Sequence, residues 1–365
     1  MKQDWPFSAR AELESALTDL GCDLVDLPIL QPADPFLDTA GEDLRRRIFM
    51  TSDDAGTLMC LRPEFTIPVC LRHFESAKDA TRYAYVGAVF RQRRHGGSEF
   101  IQAGIEDIGD EDRSESDARS LAESLTLLRK INPDYSGPIR IGDQAVFEAI
   151  LDDLDLDAVC RQSLISAFGD PQKMKATLAR LVDPKPARSL PDDLQNAFAS
   201  GAEALRKAIS ERMSKAGLSE SDGRTALEIA ERILDQQTVG DHRMSGSQAR
   251  VIGDFLTIKL PCSQARGAMG MVPKQALENF QKRVEAFDSQ GLDLTRIQFD
   301  AAFGRPLDYY TGFVFEALND GEEVIIGGGR YDHLLEMLGD EKPVPAVGFS
   351  IWLDRARPSS NGDAQ

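Results

Sequence analysis

The sequence predicts an α+β fold, an antiparallel sheet flanked by helices and interrupted by a helical insertion. Strand-like text fills much of the first 150 residues and returns only at Arg296 in RIQFDAA, whereas nearly everything from Gln144 to about Leu260 has helical period. Length agrees: 365 residues with 42% hydrophobic residues and 18 Phe suffice for one large core or two ordinary ones. The expected division is residues 1–150 with 262–357 as the sheet domain, 151–261 as the insertion and 358–365 as a flexible tail.

Taken in order, Ala11, Leu13, Leu17 and Leu20 form the apolar stripe of a first helix, with Ser8 as N-cap and Gly21 as stop. Asp23 to Leu30 reads as a strand that meets Pro28, Pro32 and Pro35, and so belongs at a sheet edge or in an extended connection. Arg46 to Arg72 alternates short apolar runs with turns. Tyr83–Arg91 and Glu99–Ile108 both alternate with period two around the short loop Arg93-Arg94-His95-Gly96-Gly97-Ser98, which predicts an antiparallel hairpin. Residues 113–131 carry Leu121, Leu125 and Leu128 along one helical stripe, and Ile139 to Ile141 is a further strand. The insertion is broken by Asp183 to Pro191 and by Gly240. After Arg296, TGFVFEAL and EEVIIGGG are strands around the turn Asn319-Asp320-Gly321. Gly327-Gly328-Gly329 precedes helical text from His333 to Leu338; without GK[ST] or GxGxxG nearby, it reads as a tight strand-to-helix turn rather than a phosphate cradle.

Composition excludes several classes. With 42 Lys plus Arg against 60 Asp plus Glu, the net charge is −18, which disfavours a nucleic-acid partner because such affinity comes largely from cations displacing counterions. Cys22, Cys60, Cys70, Cys160 and Cys262 contain no CxxC pair, so reduced thiols are expected, with no disulfide or structural zinc. His73, His95, His242 and His333 form no HExxH pattern, and no metal or other cofactor is expected. The polar N-terminus and the lack of an apolar run of about 20 residues predict a cytoplasmic chain with no membrane partner.

Several polar residues stand where strand periodicity groups them. Gln102 and Glu106 share a face with Phe100 and Gly104, while Ile101, Ala103 and Ile105 take the other. Arg91 has the parity of Gly87, Glu64 and Thr66 are two apart, and Arg305 precedes Tyr309, Tyr310 and Gly312 at the mouth of a strand. Amide, carboxylate, guanidinium and phenol beside glycines suit a small polar ligand better than a core.

LRPEFT, YVGAVFRQRR with EFIQAGIEDIG, RPLDYYTGFVFE, GGGRYDHLLEMLG and PAVGFSIWLDR occur in the order found in the catalytic domain of histidyl-tRNA synthetase. They resemble its class II motif 2, its two histidine-specific motifs and its motif 3, and Pro28 is similar to the motif 1 proline at its dimer interface. The resemblance spans residues 1–357 and implies a class II aminoacyl-tRNA synthetase-like fold with a histidine pocket. In that pocket Glu64 and Thr66 would hold the ligand's α-amino group, Arg305 its carboxylate with Gln102 assisting, and Glu106 with Tyr310 its imidazole. Phe65, Arg91 and Tyr309 complete the expected site.

Departures from the synthetase pattern fall on the nucleotide side. Arg91-Gln92-Arg93 stands where motif 2 has Arg-x-Glu, Ser98 replaces an arginine, Pro306 a glycine, and Trp352 the motif 3 glycine beside adenine, although Arg91 and Arg355 remain. The chain also stops ten residues after Arg355, so no anticodon-binding domain is expected. This pattern is similar to the regulatory subunits of ATP phosphoribosyltransferase, synthetase paralogues in the first step of histidine biosynthesis. The resemblance implies a non-catalytic chain that binds L-histidine, is needed by the short-form catalytic subunit, mediates feedback inhibition, and forms a homodimer within a hetero-oligomer. An amino-acid-activating enzyme of the same descent and a free-standing histidine-binding module are the alternatives.

Overall fold

The computed structural model describes residues 7–39, 42–76, 80–93, 97–183, 190–216, 225–227, 229–230, 233–234, 242–305, 309–319 and 321–356. The expectations placed on Arg94 to Gly96, most of Asp183 to Pro191, Gly240, Pro306, Asp320 and the tail beyond Ala356 lie outside these residues. Two compact units emerge, Leu151–Asp254 and the remainder of the chain. The sequence-based boundary at 261 moves to 254, because Lys259–Pro261 forms a strand paired with Ile297–Asp300 and so belongs to the sheet.

The sheet unit is built on nine strands. In chain order they are β1 (Asp23–Leu24), β5 (Thr81–Phe90), β6 (Glu99–Ile108), β7 (Ile139–Asp143), β8 (Lys259–Pro261), β9 (Ile297–Asp300), β10 (Phe313–Leu318), β11 (Val324–Arg330) and β12 (Ala346–Trp352). Their spatial order is β1-β5-β6-β12-β11-β10-β7-β9-β8, and every pairing is antiparallel except β1 with β5 and β7 with β9. A separate three-stranded sheet runs β2 (Leu30–Pro32), β4 (Leu58–Leu61) and β3 (Phe49–Ser52).

The predicted hairpin is β5 and β6, fully antiparallel from Thr81 opposite Ile108 to Phe90 opposite Glu99. The single strand expected from Asp23 to Leu30 is instead two short pieces, β1 and β2, with Pro28 between them lacking the N–H that a continuous ladder requires. A helix α1 (Phe7–Asp19) precedes β1, and Gly21 takes φ of +76°, which suits the residue ending that helix. LRPEFT is not extended throughout: α2 (Thr66–Phe74) starts within it. The glycine run is also not a turn, since Gly327, Gly328 and Gly329 are buried interior positions of β11.

Helices α3 (Arg113–Ile131) and α4 (Lys274–Ser289) pack against each other, and α3 also lies on β11, β12 and β6. Asp112 caps α3 by accepting from the Glu115 N–H. A buried ionic cluster ties this layer to the sheet. Asp117 of α3, fully buried, accepts from Arg283 Nε at 2.7 Å on α4 and from Arg330 Nε at 2.8 Å on β11, while Arg283 also binds Asp143. Arg330 reaches Asp332 at 2.9 Å and Ser116 at 2.7 Å as well. Alternation along the strand then sends Tyr331 to the opposite face. There it joins a core of Phe36, Phe65, Ile67, Val69, Tyr85, Phe100 and Trp352.

The second unit, taken by itself, is helical, with Ala158–Ile165, Pro171–Val182, Asp192–Ala199 and Ala202–Lys215 among its elements. Asp157 and Asp170 cap the first two, and Leu194, Leu205, Ile209 and Met213 form its own small core.

Candidate functional site

The expected polar residues do not lie on a solvated face. Gln102 and Glu106 are each 1% exposed, Glu64 4% and Tyr309 3%, so they form a polar island within the core on the α2 side of the sheet. Every polar group so placed must find a partner or remain costly.

Glycines make the room. Across β5, β6, β12, β11 and β10, Tyr85 faces Gly104, Glu106 faces Gly348, and Glu316 faces Gly327. A Cβ on Gly104 would collide with the Tyr85 phenol, on Gly348 with the Glu106 carboxylate, and on Gly327 with the Arg305 guanidinium. On Gly329 it would stand 2.8 Å from the Tyr310 ring. The site's long side chains thus lie flat over strand positions that carry none.

Glu106 is the centre of this island. Its Oε1 accepts from Thr66 Oγ1 at 2.8 Å and from the Tyr85 hydroxyl at 3.2 Å, and its Oε2 accepts from the Tyr331 hydroxyl at 2.5 Å. Burial pushes its carboxyl up to about 8, against the pull of those hydroxyls, which favour the ionised form. Tyr85 is fixed in turn by Ser350 Oγ at 2.7 Å and by stacking on Phe65, with ring centroids 4.2 Å apart. Sequence reasoning passed over Tyr85 and Tyr331. The first shares the parity of Gly87 and Arg91, and the second the parity of Gly327 and Gly329 once the glycine run is read as a strand.

Glu64 also has a role within the fold. Its Oε2 accepts from Thr66 N at 2.6 Å and its Oε1 from Ile67 N at 3.0 Å, so the carboxylate seals the N-terminus of α2, where two N–H groups lack helical partners. Burial raises its carboxyl, while those N–H groups and the Arg91 charge oppose the rise. Arg91 donates from Nε to the Pro63 carbonyl at 2.7 Å, and burial lowers its guanidinium to about 10. Thr66 spends its hydroxyl on Glu106 and its N–H on Glu64, linking the two carboxylates.

Arg305 extends over Gly327 with Nη1 3.6 Å from Glu316 Oε2. Tyr310 neighbours it, and the rings of Tyr309 and Tyr310 lie 5.1 Å apart. Burial raises both phenols. Tyr310 is not among the hydroxyls that reach Glu106; Thr66, Tyr85 and Tyr331 are. Two buried polar atoms here, Gln102 Oε1 and Arg305 Nε, have no hydrogen-bond partner among the described residues.

Trp352, 6% exposed, pairs in register with Gln102 and closes the end of the island, its ring 6.0 Å from the Arg305 guanidinium carbon and 5.7 Å from that of Arg355. Arg93 lies over the Phe100 ring at 3.6 Å and faces Asp354 at 3.6 Å.

Comparison with known proteins places this geometry. The family model for histidyl-tRNA synthetase matches residues 7–239 and 239–356. A relative from Rhizobium johnstonii, named ATP phosphoribosyltransferase regulatory subunit, is 46% identical over 354 residues, covering 94% of this chain and 95% of its own. The chain belongs to the family of ATP phosphoribosyltransferase regulatory subunits, within the histidyl-tRNA synthetase-like fold. A further member, from Mesorhizobium japonicum, is 47% identical over 341 residues and covers 91% of each chain. Solved structures agree on the fold. One from Bacillus halodurans, titled an ATP phosphoribosyltransferase regulatory subunit/histidyl-tRNA synthetase, superposes with a TM-score of 0.65 at 20% identity, covering 98% of this chain and 80% of the other. Histidyl-tRNA synthetase from Nostoc superposes at 0.59 with 17% identity, covering 95% and 69%. Among the described residues, no helix is long and apolar enough to cross a membrane.

Proposed function

We propose that this chain is the histidine sensor of ATP phosphoribosyltransferase. It catalyses nothing itself, binds L-histidine among Glu64, Phe65, Thr66, Arg91, Gln102, Glu106, Arg305, Tyr309 and Tyr310, and passes that occupancy to a short-form catalytic subunit in the cytoplasm. The observation that carries the reading is the buried island itself, in which a hydroxyl-ringed Glu106 lies in one buried region with an arginine and a glutamine whose Nε and Oε1 atoms have no hydrogen-bond partner among the described residues. An imidazole N–H suits the carboxylate, and an amino-acid carboxylate suits the guanidinium. Such buried groups penalise any ligand that leaves them unpaired, which favours histidine over apolar analogues.

Trp352 favours the sensor over an activating enzyme. An indole buried in the strand beside Gln102 occupies the position that the synthetase pattern leaves open for adenine, and Arg93 puts positive charge where that pattern has a glutamate. For self-association we favour the three-stranded sheet, which exposes Leu30, Met50 and Leu58 near Pro28.

Reconstitution tests the reading. The catalytic chain is expected to gain activity with this subunit and to lose it as L-histidine is added. Arg305→Ala should remove the inhibition and retain at least part of the basal activity. Histidine-dependent ATP–pyrophosphate exchange by the purified chain alone would overturn the proposal.

A further inference from the structure

Glu316 serves two arginines at once. Its Oε1 accepts from Arg140 Nε at 3.2 Å and Nη2 at 2.5 Å, and its Oε2 faces Arg305 Nη1 at 3.6 Å. The Glu316 side chain is 7% exposed, so its charge is poorly screened by water, whereas Arg140 is partly solvated and Arg305 largely buried. Arg140 is itself held in place. Its guanidinium lies 4.3 Å over the Phe303 ring and 3.8 Å from Asp300, which Lys259 approaches at 3.2 Å. The Phe303 backbone in turn presses on Gly142, where a Cβ would collide with the Phe303 carbonyl. A row of alternating charges, Arg305, Glu316, Arg140, Asp300 and Lys259, therefore runs across β10, β7, β9 and β8 toward the last strand of the sheet.

The effect on Arg305 is directional. The guanidinium is a rigid planar fork. Gly327 lies under it, and Glu316 attracts one terminal nitrogen toward β10. Arg305 Nε keeps no partner among the described residues. Without Glu316, Arg140 and Arg305 would lose the anion between them and repel each other.

We propose that Glu316, held by Arg140, is a positioning residue that aims Arg305 at the ligand's carboxylate and so sets the preference of this site for an α-amino acid over the corresponding amine. The inference rests on the histidine-sensor reading and deepens it. Glu316 touches no ligand in this scheme and acts through Arg305 alone.

Histamine has the imidazole and amine of histidine without the carboxylate, so the pair of ligands isolates the term that Glu316 controls. Dissociation constants of the full chain for L-histidine and for histamine, with histamine titrated into the millimolar range by ligand-observed NMR, are compared for the parent, Glu316→Gln and Arg140→Ala. Glu316→Gln is expected to weaken L-histidine by about tenfold or more, the usual scale for removing one partner of a buried charge pair, and to change histamine by less than about threefold. Arg140→Ala, made at a half-exposed position, should show the same selective loss with smaller size and covers the case in which Glu316→Gln fails to fold. Equal losses for both ligands in folded variants, or no loss for either, would overturn the assignment. A parent chain that binds neither ligand would instead overturn the sensor reading, and this inference with it.

Discussion

Glu106 gives a sharp test of the buried island through the pH dependence of stability. Its carboxyl titrates near 8 in the folded chain, mainly because burial disfavours the ionised form, against an ordinary value of 4.5. Between those values the folded state holds a proton that the unfolded state has released, so stability falls as pH rises and levels off above about 8. The slope for one group is about 1.4 kcal/mol per pH unit, and from pH 5.5 to 7.5 the loss assignable to Glu106 is about 2 to 3 kcal/mol. Glu106→Gln keeps the shape of the protonated acid and cannot ionise. Glu64, which burial also raises, is present in both proteins and cancels in the difference. Urea unfolding of parent and variant across this window, followed by tryptophan fluorescence, should give lines that diverge, the parent losing stability relative to the variant as pH rises. Any fixed penalty from turning an amide N–H toward Tyr331 or Tyr85 shifts one line without altering its slope. Parallel lines would show that Glu106 is ionised throughout, held so by its three hydroxyl donors, and the account of burial as the dominant influence would be wrong.

Two further outcomes follow from packing and charge. Gly348→Ala places a carbon against the Glu106 carboxylate and 2.8 Å from the Ile105 carbonyl, which as backbone has little freedom to move. It should cost about 1 to 3 kcal/mol in urea unfolding and weaken L-histidine binding measured by calorimetry. Asp117→Ala removes the carboxylate shared by Arg283 and Arg330 and leaves two buried cations short of a partner. A loss of about 3 to 5 kcal/mol is expected in the same denaturation assay, and a loss below about 1 kcal/mol would mean that water reaches the cluster.

Much of the fold is legible because its repeating pattern is carried by side chains. Alternation predicts β5 and β6 with their pairing, and the leucine stripe predicts α3 from residue 113 to 131. Where glycine replaces a side chain, the pattern disappears. Gly327, Gly328 and Gly329 read as a turn, yet they are strand because Arg305, Phe315 and Tyr310 lie over the space they leave. That reason is tertiary, and no local propensity displays it. The start of α2 is hidden for a related reason. Read as extended, LRPEFT sets Glu64 and Thr66 on one side; with α2 starting at Thr66, the same carboxylate also meets the helix N–H groups. The type and proximity of the site residues were recoverable, while the partner of each depended on where one helix begins.

Charge balance explains how so many ionisable groups share one buried region. Glu64 is opposed by Arg91 and by the N-terminus of α2, Glu316 by Arg140 and Arg305, and Glu106, raised to about 8, is largely neutral at physiological pH. Counted this way the island carries one net positive charge with Glu106 protonated and none with Glu106 ionised, so its buried charges are balanced to within one unit by pairing rather than by exposure to water. A ligand with net charge would disturb that balance at full desolvation cost. An amino acid, bearing one positive and one negative group, enters without changing the sum, and a neutral imidazole beside a protonated Glu106 can accept its proton and leave an ion pair of unchanged total charge. The same electrostatics that let these groups be buried thus favour a zwitterion whose side chain exchanges a proton near neutral pH.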